Sequence, residues 1–184
     1  MHIPGILSFQ VYDPCGYNNR RKEKGVKITV IAVGKVKEKY IESGIKEYRK
    51  RLGPYCRLNI IEVSDQRAPE NLSRRQLEEV KDREGRNILK HIKPGNHVIA
   101  LDIGGEQMSS EDMAGYIERL VTGGSSSIIF VIGGSNGLSE GVLERVDMKL
   151  SFSAMTFPHQ LMRLVLIEQI YRWFKINRGE PYHK

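Results

Sequence analysis

The stretch Ser151-Phe152-Ser153-Ala154-Met155-Thr156-Phe157-Pro158-His159-Gln160 crowds hydroxyl, apolar and imidazole groups together, and Pro158 reads as the foot of a helix. A loop of this kind can wrap a flat heterocycle, with apolar side chains on its faces and backbone hydrogen bonds at its edge. The plainer reading is a buried connection, with Phe152 and Phe157 in the core and His159 a surface residue of the first turn; a lone histidine is commonly structural. A second candidate is Gly133-Gly134-Ser135-Asn136-Gly137, where the missing Cβ atoms let backbone approach a ligand and supply positive φ. A tight strand-to-helix turn would use the same residues. The run does not fit G-x-G-x-x-G, and it lacks the Lys and Ser/Thr of a phosphate-cradling loop, which argues against a dinucleotide oxidoreductase or an NTPase. Leu101-Asp102-Ile103-Gly104-Gly105 has the wrong spacing for a Rossmann-type glycine motif and reads as a turn. Further on, Arg163, Glu168, Arg172 and Lys175 either face phosphates or form an ion-paired, solvated helix side. Tyr182 and His183 bring stacking and proton-transfer groups to the chain end, where fraying is the usual state.

The elements that would position these groups follow from hydrophobic period. Alternation starts abruptly at Lys27, and short β-branched runs then alternate with amphipathic stretches. Strands are predicted at Lys27 to Val33, Arg57 to Val63, His97 to Leu101, Ser127 to Ile132 and Lys149 to Ser153. Helices are predicted at Glu38 to Leu52, from a Ser73-x-x-Gln76 capping box up to Pro94, from Ser109 or Ser110 to Gly123, around Glu140 to Arg145, and from Pro158 to Lys175. Strands joined through helices make a mainly parallel sheet with helices on both faces, an α/β fold. Ligands of such sheets bind beyond the carboxyl ends of the strands, which is where the loops after strands three, four and five gather their Gly, Ser and Thr residues.

A chain of 184 residues suits one domain. Residues 1–25 show no sustained period and read as a flexible extension or a misassigned start, Val26 being a candidate GUG-initiated first residue; the single domain then spans 26–184. The net charge is +7, and residues 1–25 carry four basic and two acidic groups, so the remainder stays at +5. That excess suits a polyanionic partner, although a basic solvated surface would look the same. Two cysteines without C-x-x-C spacing disfavour a zinc site and a disulfide framework. The start lacks a secretory pattern and no apolar run reaches membrane-spanning length, so the cytosol is the expected compartment.

As an ordered set these segments closely resemble the RlmH family of SPOUT methyltransferases. The matching stretches are VKITVIAVGK from Val26, KRLGPY over Lys50 to Tyr55, FVIGGSNGL over Phe130 to Leu138, LSFSAMTFPHQLMR over Leu150 to Arg163, and the closing PYHK. The first 25 residues are the departure. The resemblance implies a SPOUT-type fold with a C-terminal trefoil knot, and S-adenosylmethionine as cofactor, its pocket lined by Leu101, Gly133, Phe152, Ser153, Ala154, Met155, Thr156 and Phe157. It implies substrate-binding or catalytic positions at His159, Glu168, Arg172, Tyr182 and His183, and a homodimer in which one protomer's tail completes its partner's site. The implied reaction is methylation of N3 of a pseudouridine in large-subunit (23S) rRNA on the assembled ribosome, with no metal and no membrane. Two rivals remain at this stage. One is a non-catalytic RNA-binding or ribosome-assembly factor of the same fold. The other is a flavodoxin-like enzyme, which would need a phosphate-cradling loop where only Gly34-Lys35 stands.

Overall fold

The computed structural model describes residues 25–66 and 73–181, so the expected N-terminal extension lies outside the described residues except for Gly25. Along them β1 (Lys27–Val33), α1 (Lys39–Leu52), β2 (Arg57–Val63), α2 (Arg74–Leu89), β3 (His97–Gln107), α3 (Ser110–Thr122), β4 (Ser127–Ile132), α4 (Glu140–Leu143), β5 (Met148–Ser151) and α5 (His159–Asn177) alternate without exception. The sheet order is β2-β1-β4-β3-β5, and every pairing is parallel, as strands joined by crossover helices require.

Alternation along each strand sorts the core into two layers. Ile28, Val30, Ala32, Ile99, Ile128 and Phe130 pack under α1, α3 and α5, whereas Ile31, Val33, Val98, Ala100, Ile129 and Val131 pack under α2 and α4. The central strands are apolar on both faces, which is why their sequences read as nearly continuous hydrophobic runs. α5 fills the middle of its layer, between α1 and α3, and Trp173 lies against Phe130 with ring centroids 5.8 Å apart. Local chemistry sets several helix starts. Ser73 accepts from the Gln76 N–H while the Gln76 side chain returns to the Ser73 N–H, the expected capping box, and Ser109 accepts from the Asp112 N–H at 3.0 Å.

The expected strand from His97 to Leu101 is too short, and the turn expected at Gly104-Gly105 is a correction. β3 runs on to Gln107, and Leu101 and Glu106 both register with Leu150, so residues 102–105 bulge from the ladder. Asp102 Oδ1 accepts from the Gly104 N–H at 2.8 Å and closes the bulge locally. Gly105 is required by close approach, since a Cβ there would stand 2.6 Å from the Lys149 carbonyl carbon of β5. Replacing Gly105 with Ala should therefore cost about 1–3 kcal/mol by overpacking. Urea unfolding of the variant beside the parent measures that loss, and an unchanged midpoint would mean that the β3–β5 contact is looser than described.

Candidate active site

At the carboxyl ends of β3, β4 and β5 lies a cavity of about 470 Å³. Its walls come from the β3 bulge (Leu101, Asp102, Ile103), the glycine loop after β4 (Gly133 to Leu138), the segment after β5 (Ser151 to Ser153 and Met155 to Phe157), and the first turn of α5 (His159 and Met162). The glycine loop is both the turn and the wall that its composition allowed. Gly137 donates to the Gly134 carbonyl at 3.1 Å and takes φ +82°, a conformation that L side chains rarely adopt. The segment after β5 braces itself through hydroxyls. Ser151 Oγ donates to the Ser153 carbonyl at 3.1 Å, and Ser153 Oγ accepts from the Met155 N–H at 3.0 Å.

These residues continue from the edge strand β5, yet α5 begins beside β1. Gln160 Oε1 accepts from the Lys37 N–H at 2.6 Å, and Arg163 Nη2 donates to the carbonyls of Val33 and Gly34 at 2.6 and 2.9 Å. Residues 152–158 accordingly cross the ends of β3 and β4. Arg163, a candidate phosphate contact or solvated residue from sequence, is neither: it is 1% exposed, and its Nη1 pairs with Glu62 at 2.9 Å.

Of the expected cofactor-binding residues, Leu101, Gly133, Phe152, Ser153, Met155, Thr156 and Phe157 line the cavity, while Ala154 is exposed and outside its wall. His159 lines it too, half-buried rather than a surface residue. Glu168 and Arg172 do not. Nine and thirteen residues beyond His159, they lie roughly 14 and 20 Å along the helix. Arg172 grips Glu168 Oε1 through Nε at 3.0 Å and Nη2 at 2.6 Å, and Gln169, itself bonded to Ser110 of α3, donates to Glu168 Oε2. Tyr182 and His183 lie outside the described residues. Asp102, Ile103 and Met162 are wall residues that sequence reasoning did not assign to a ligand site. The first two could have been found only by recognising the bulge. Among the described residues no group of His, Cys, Asp or Glu could hold a metal ion, and no helix is long and apolar enough to cross a membrane.

Burial, and then the charge of Arg163, hold the His159 imidazole below its ordinary pKa, with Asp65 pulling weakly the other way. The ring is therefore mostly neutral near pH 7 and able to accept a proton. The linkage has a definite sign. The unfolded chain takes the proton at the ordinary histidine value, so stability is fully present above that value and falls as pH drops from it toward the folded midpoint. In an NMR titration the His159 ring should titrate below ordinary histidine, and Asp65→Asn should lower it further. A midpoint at or above that of a free histidine would contradict the burial described.

A family described as "Predicted SPOUT methyltransferase" matches residues 26–183. Solved structures with similar folds include a probable methylase family protein from Haemophilus influenzae Rd KW20 (11% identity, 88% of this chain and 71% of that one, TM-score 0.49). Others are the A. aeolicus TrmH/SpoU tRNA modifying enzyme (13%, 88% and 83%, 0.45) and the SpoU methyltransferase AviRb from Streptomyces viridochromogenes in complex with AdoMet (9%, 83% and 58%, 0.42). All three scores lie below 0.5, and the assignment rests instead on the family match, which covers most of the sequence. By that match, over residues 26–183, the chain belongs to the SPOUT methyltransferase family.

Proposed function

We propose that this protein transfers a methyl group from S-adenosylmethionine to N3 of a pseudouridine in large-subunit rRNA on the assembled ribosome, acting as a homodimer with a trefoil-knotted C-terminal region. The observation that carries the reading is the cavity at the strand ends, because the glycine loop and the SFSAMTFPHQ segment, separated in the chain by α4 and β5, both line it. A volume of about 470 Å³ suits a nucleoside-sized cofactor. Ile132, Leu138 and Leu150 give it an apolar lining for a purine, and the glycine backbone offers polar groups without side chains in the way. When bound, S-adenosylmethionine supplies a methyl group on a cationic sulfur, so the protein's task is to aim a nucleophile in line and take away its proton.

N3 of pseudouridine carries a proton near neutrality. His159, in the wall and biased toward its neutral form, is suited to accept it, and His183 is the other candidate. Arg172 can stabilise negative charge developing on the base carbonyls.

The length of α5 supports a reading in which one protomer's tail serves its partner's cavity. α5 is 19 residues long and so spans about 28 Å from His159. Its far end is anchored at the amino end of β2, where Tyr55, just ahead of that strand, donates to Glu180 Oε2 at 2.7 Å. The three residues after Pro181 add at most about 10 Å. In the proposed homodimer Tyr182 and His183 act at the partner's cavity. Ile103, Met155 and Phe157 leave apolar surface exposed around the cavity, Met155 at 74%, where a second copy would cover it.

Labelled methyl from S-adenosylmethionine should appear as N3-methylpseudouridine on ribosomes lacking the modification, and less on free rRNA. Cofactor binding without transfer to either would favour another RNA target or the non-catalytic assembly factor. His183→Ala should cut turnover about 100-fold while cofactor affinity holds within about twofold. Mixed dimers of His183→Ala with Gly133→Val chains should regain activity that neither variant has alone; no recovery would argue against a tail acting on its partner.

A further inference from the structure

The wall of the cavity has a support that none of the residues assigned so far explains. Glu84, on the inward face of α2, is 2% exposed, and its Oε2 has no hydrogen-bond partner among the described residues. Its Oε1 accepts from the Gln66 N–H at 2.9 Å, in the loop after β2. The carboxyl lies directly behind the glycine loop: a Cβ built on Gly134 would meet Glu84 Oε2 at 3.1 Å and Val33 Cγ1 at 3.1 Å. The next residue along α2 touches the other end of the same loop, since a Cβ on Gly85 would collide with Ser139 Oγ. Glu84-Gly85 therefore abuts both ends of the segment Gly134 to Ser139, the stretch that forms one wall of the cavity.

A carboxyl group buried this completely is costly, and apolar packing alone would be served better by Leu or Met. We propose that Glu84 is a positioning residue for the cofactor: its buried carboxyl backs the β4–α4 glycine loop at Gly134 and ties that loop, through Gln66, to the segment after β2. The loop is thereby set before S-adenosylmethionine arrives, and the ordering cost on binding is reduced. The protonation state fits this role. Burial raises the pKa of Glu84 and the neighbouring Asp65 raises it further, while the Gln66 N–H pulls it down. Asp65 is the charged group that bears on it from the β2 side, and β1 and the glycine loop present Val33 and Gly134, which carry no charge. An amide mimics the protonated form toward which these surroundings bias Glu84.

The inference rests on the cavity holding S-adenosylmethionine, and calorimetric titration of the homodimer with that compound tests both. Glu84→Gln should bind within about twofold of wild type, whereas Glu84→Ala should bind about tenfold more weakly at a temperature where circular dichroism shows it folded. Glu84→Asp, which withdraws the carboxyl by one methylene and is the fallback should the Ala variant not fold, should weaken binding in the same direction. The melting temperature of the Gln variant should gain on that of wild type as pH rises above 4.5, the ordinary value from which Glu84 is raised, because the ionised form is the one the fold disfavours. Ala or Asp variants that are folded and bind as wild type does would overturn the proposal, as would a Gln variant no better than Ala. A wild-type protein that takes up no S-adenosylmethionine would remove the cofactor reading, and this one with it.

Discussion

The guanidinium of Arg163 is sealed beneath the carboxyl ends of β1 and β2, where an unpaired charge would cost several kcal/mol. It is tolerated because both terminal nitrogens find oxygen: the carbonyls of Val33 and Gly34 on one side and the Glu62 carboxylate on the other, with Nε alone unpartnered among the described residues. That arrangement fixes the first turn of α5 beside β1. The strand that feeds α5, however, is β5, at the far edge of the sheet. Residues 152–158 are left to bridge the difference across the ends of β3 and β4, and the cavity is the space between that crossing and the strand ends. The location of the site thus follows from where one buried cation can be satisfied.

The same corner sets the electrostatics of the wall. Burial and then Arg163 depress His159, while burial and Asp65 raise Glu84, so both groups are biased toward their uncharged forms. Asp65 acts on the two in the same upward sense, yet with opposite results for charge: it favours the cation on His159 and disfavours the anion on Glu84. A wall with little net charge suits a cofactor held by shape and backbone dipoles. It leaves the imidazole free to take a proton without a standing ion pair competing for it.

Much of this was legible from period and punctuation, because the central strands are apolar on both faces and their helices are bounded by Ser caps, Gly and Pro. β1, β2 and β4 have the expected bounds, and the helix starts at Ser73 and Ser109 follow from side-chain capping. β3 was misjudged because glycines usually punctuate, whereas Gly104-Gly105 continues a bulged strand pressed against β5. No local signal marks Arg163 or Glu84 as buried. Each is a charged residue on a helix with other charges nearby, and only tertiary contact removes it from water. The glycine loop and the SFSAMTFPHQ segment were expected together at the carboxyl ends of the strands and do line one cavity, whereas the strand order that sets them side by side is not encoded by period.

α5 also separates what sequence places close together. His159 and Glu180 lie some twenty residues apart, but a helix of 19 residues is a stiff rod, and it holds them toward opposite ends of the strands. The far end is not left to fray. Glu180 accepts from Tyr55 at 2.7 Å and from Lys175 at 2.5 Å, and Arg178 stacks over the Tyr55 ring with 4.2 Å between the guanidinium carbon and the centroid. Glu180 and Tyr55 are both drawn from their ordinary pKa values by that contact, the carboxyl downward through Lys175 and Tyr55, the phenol upward through burial and then Glu180. The point at which the chain leaves α5 is thus fixed near the amino end of β2, away from the cavity at the strands' carboxyl ends. α5 is held on the β2 side at both ends, by Arg163 on Glu62 at its start and by Glu180 on Tyr55 beyond its finish.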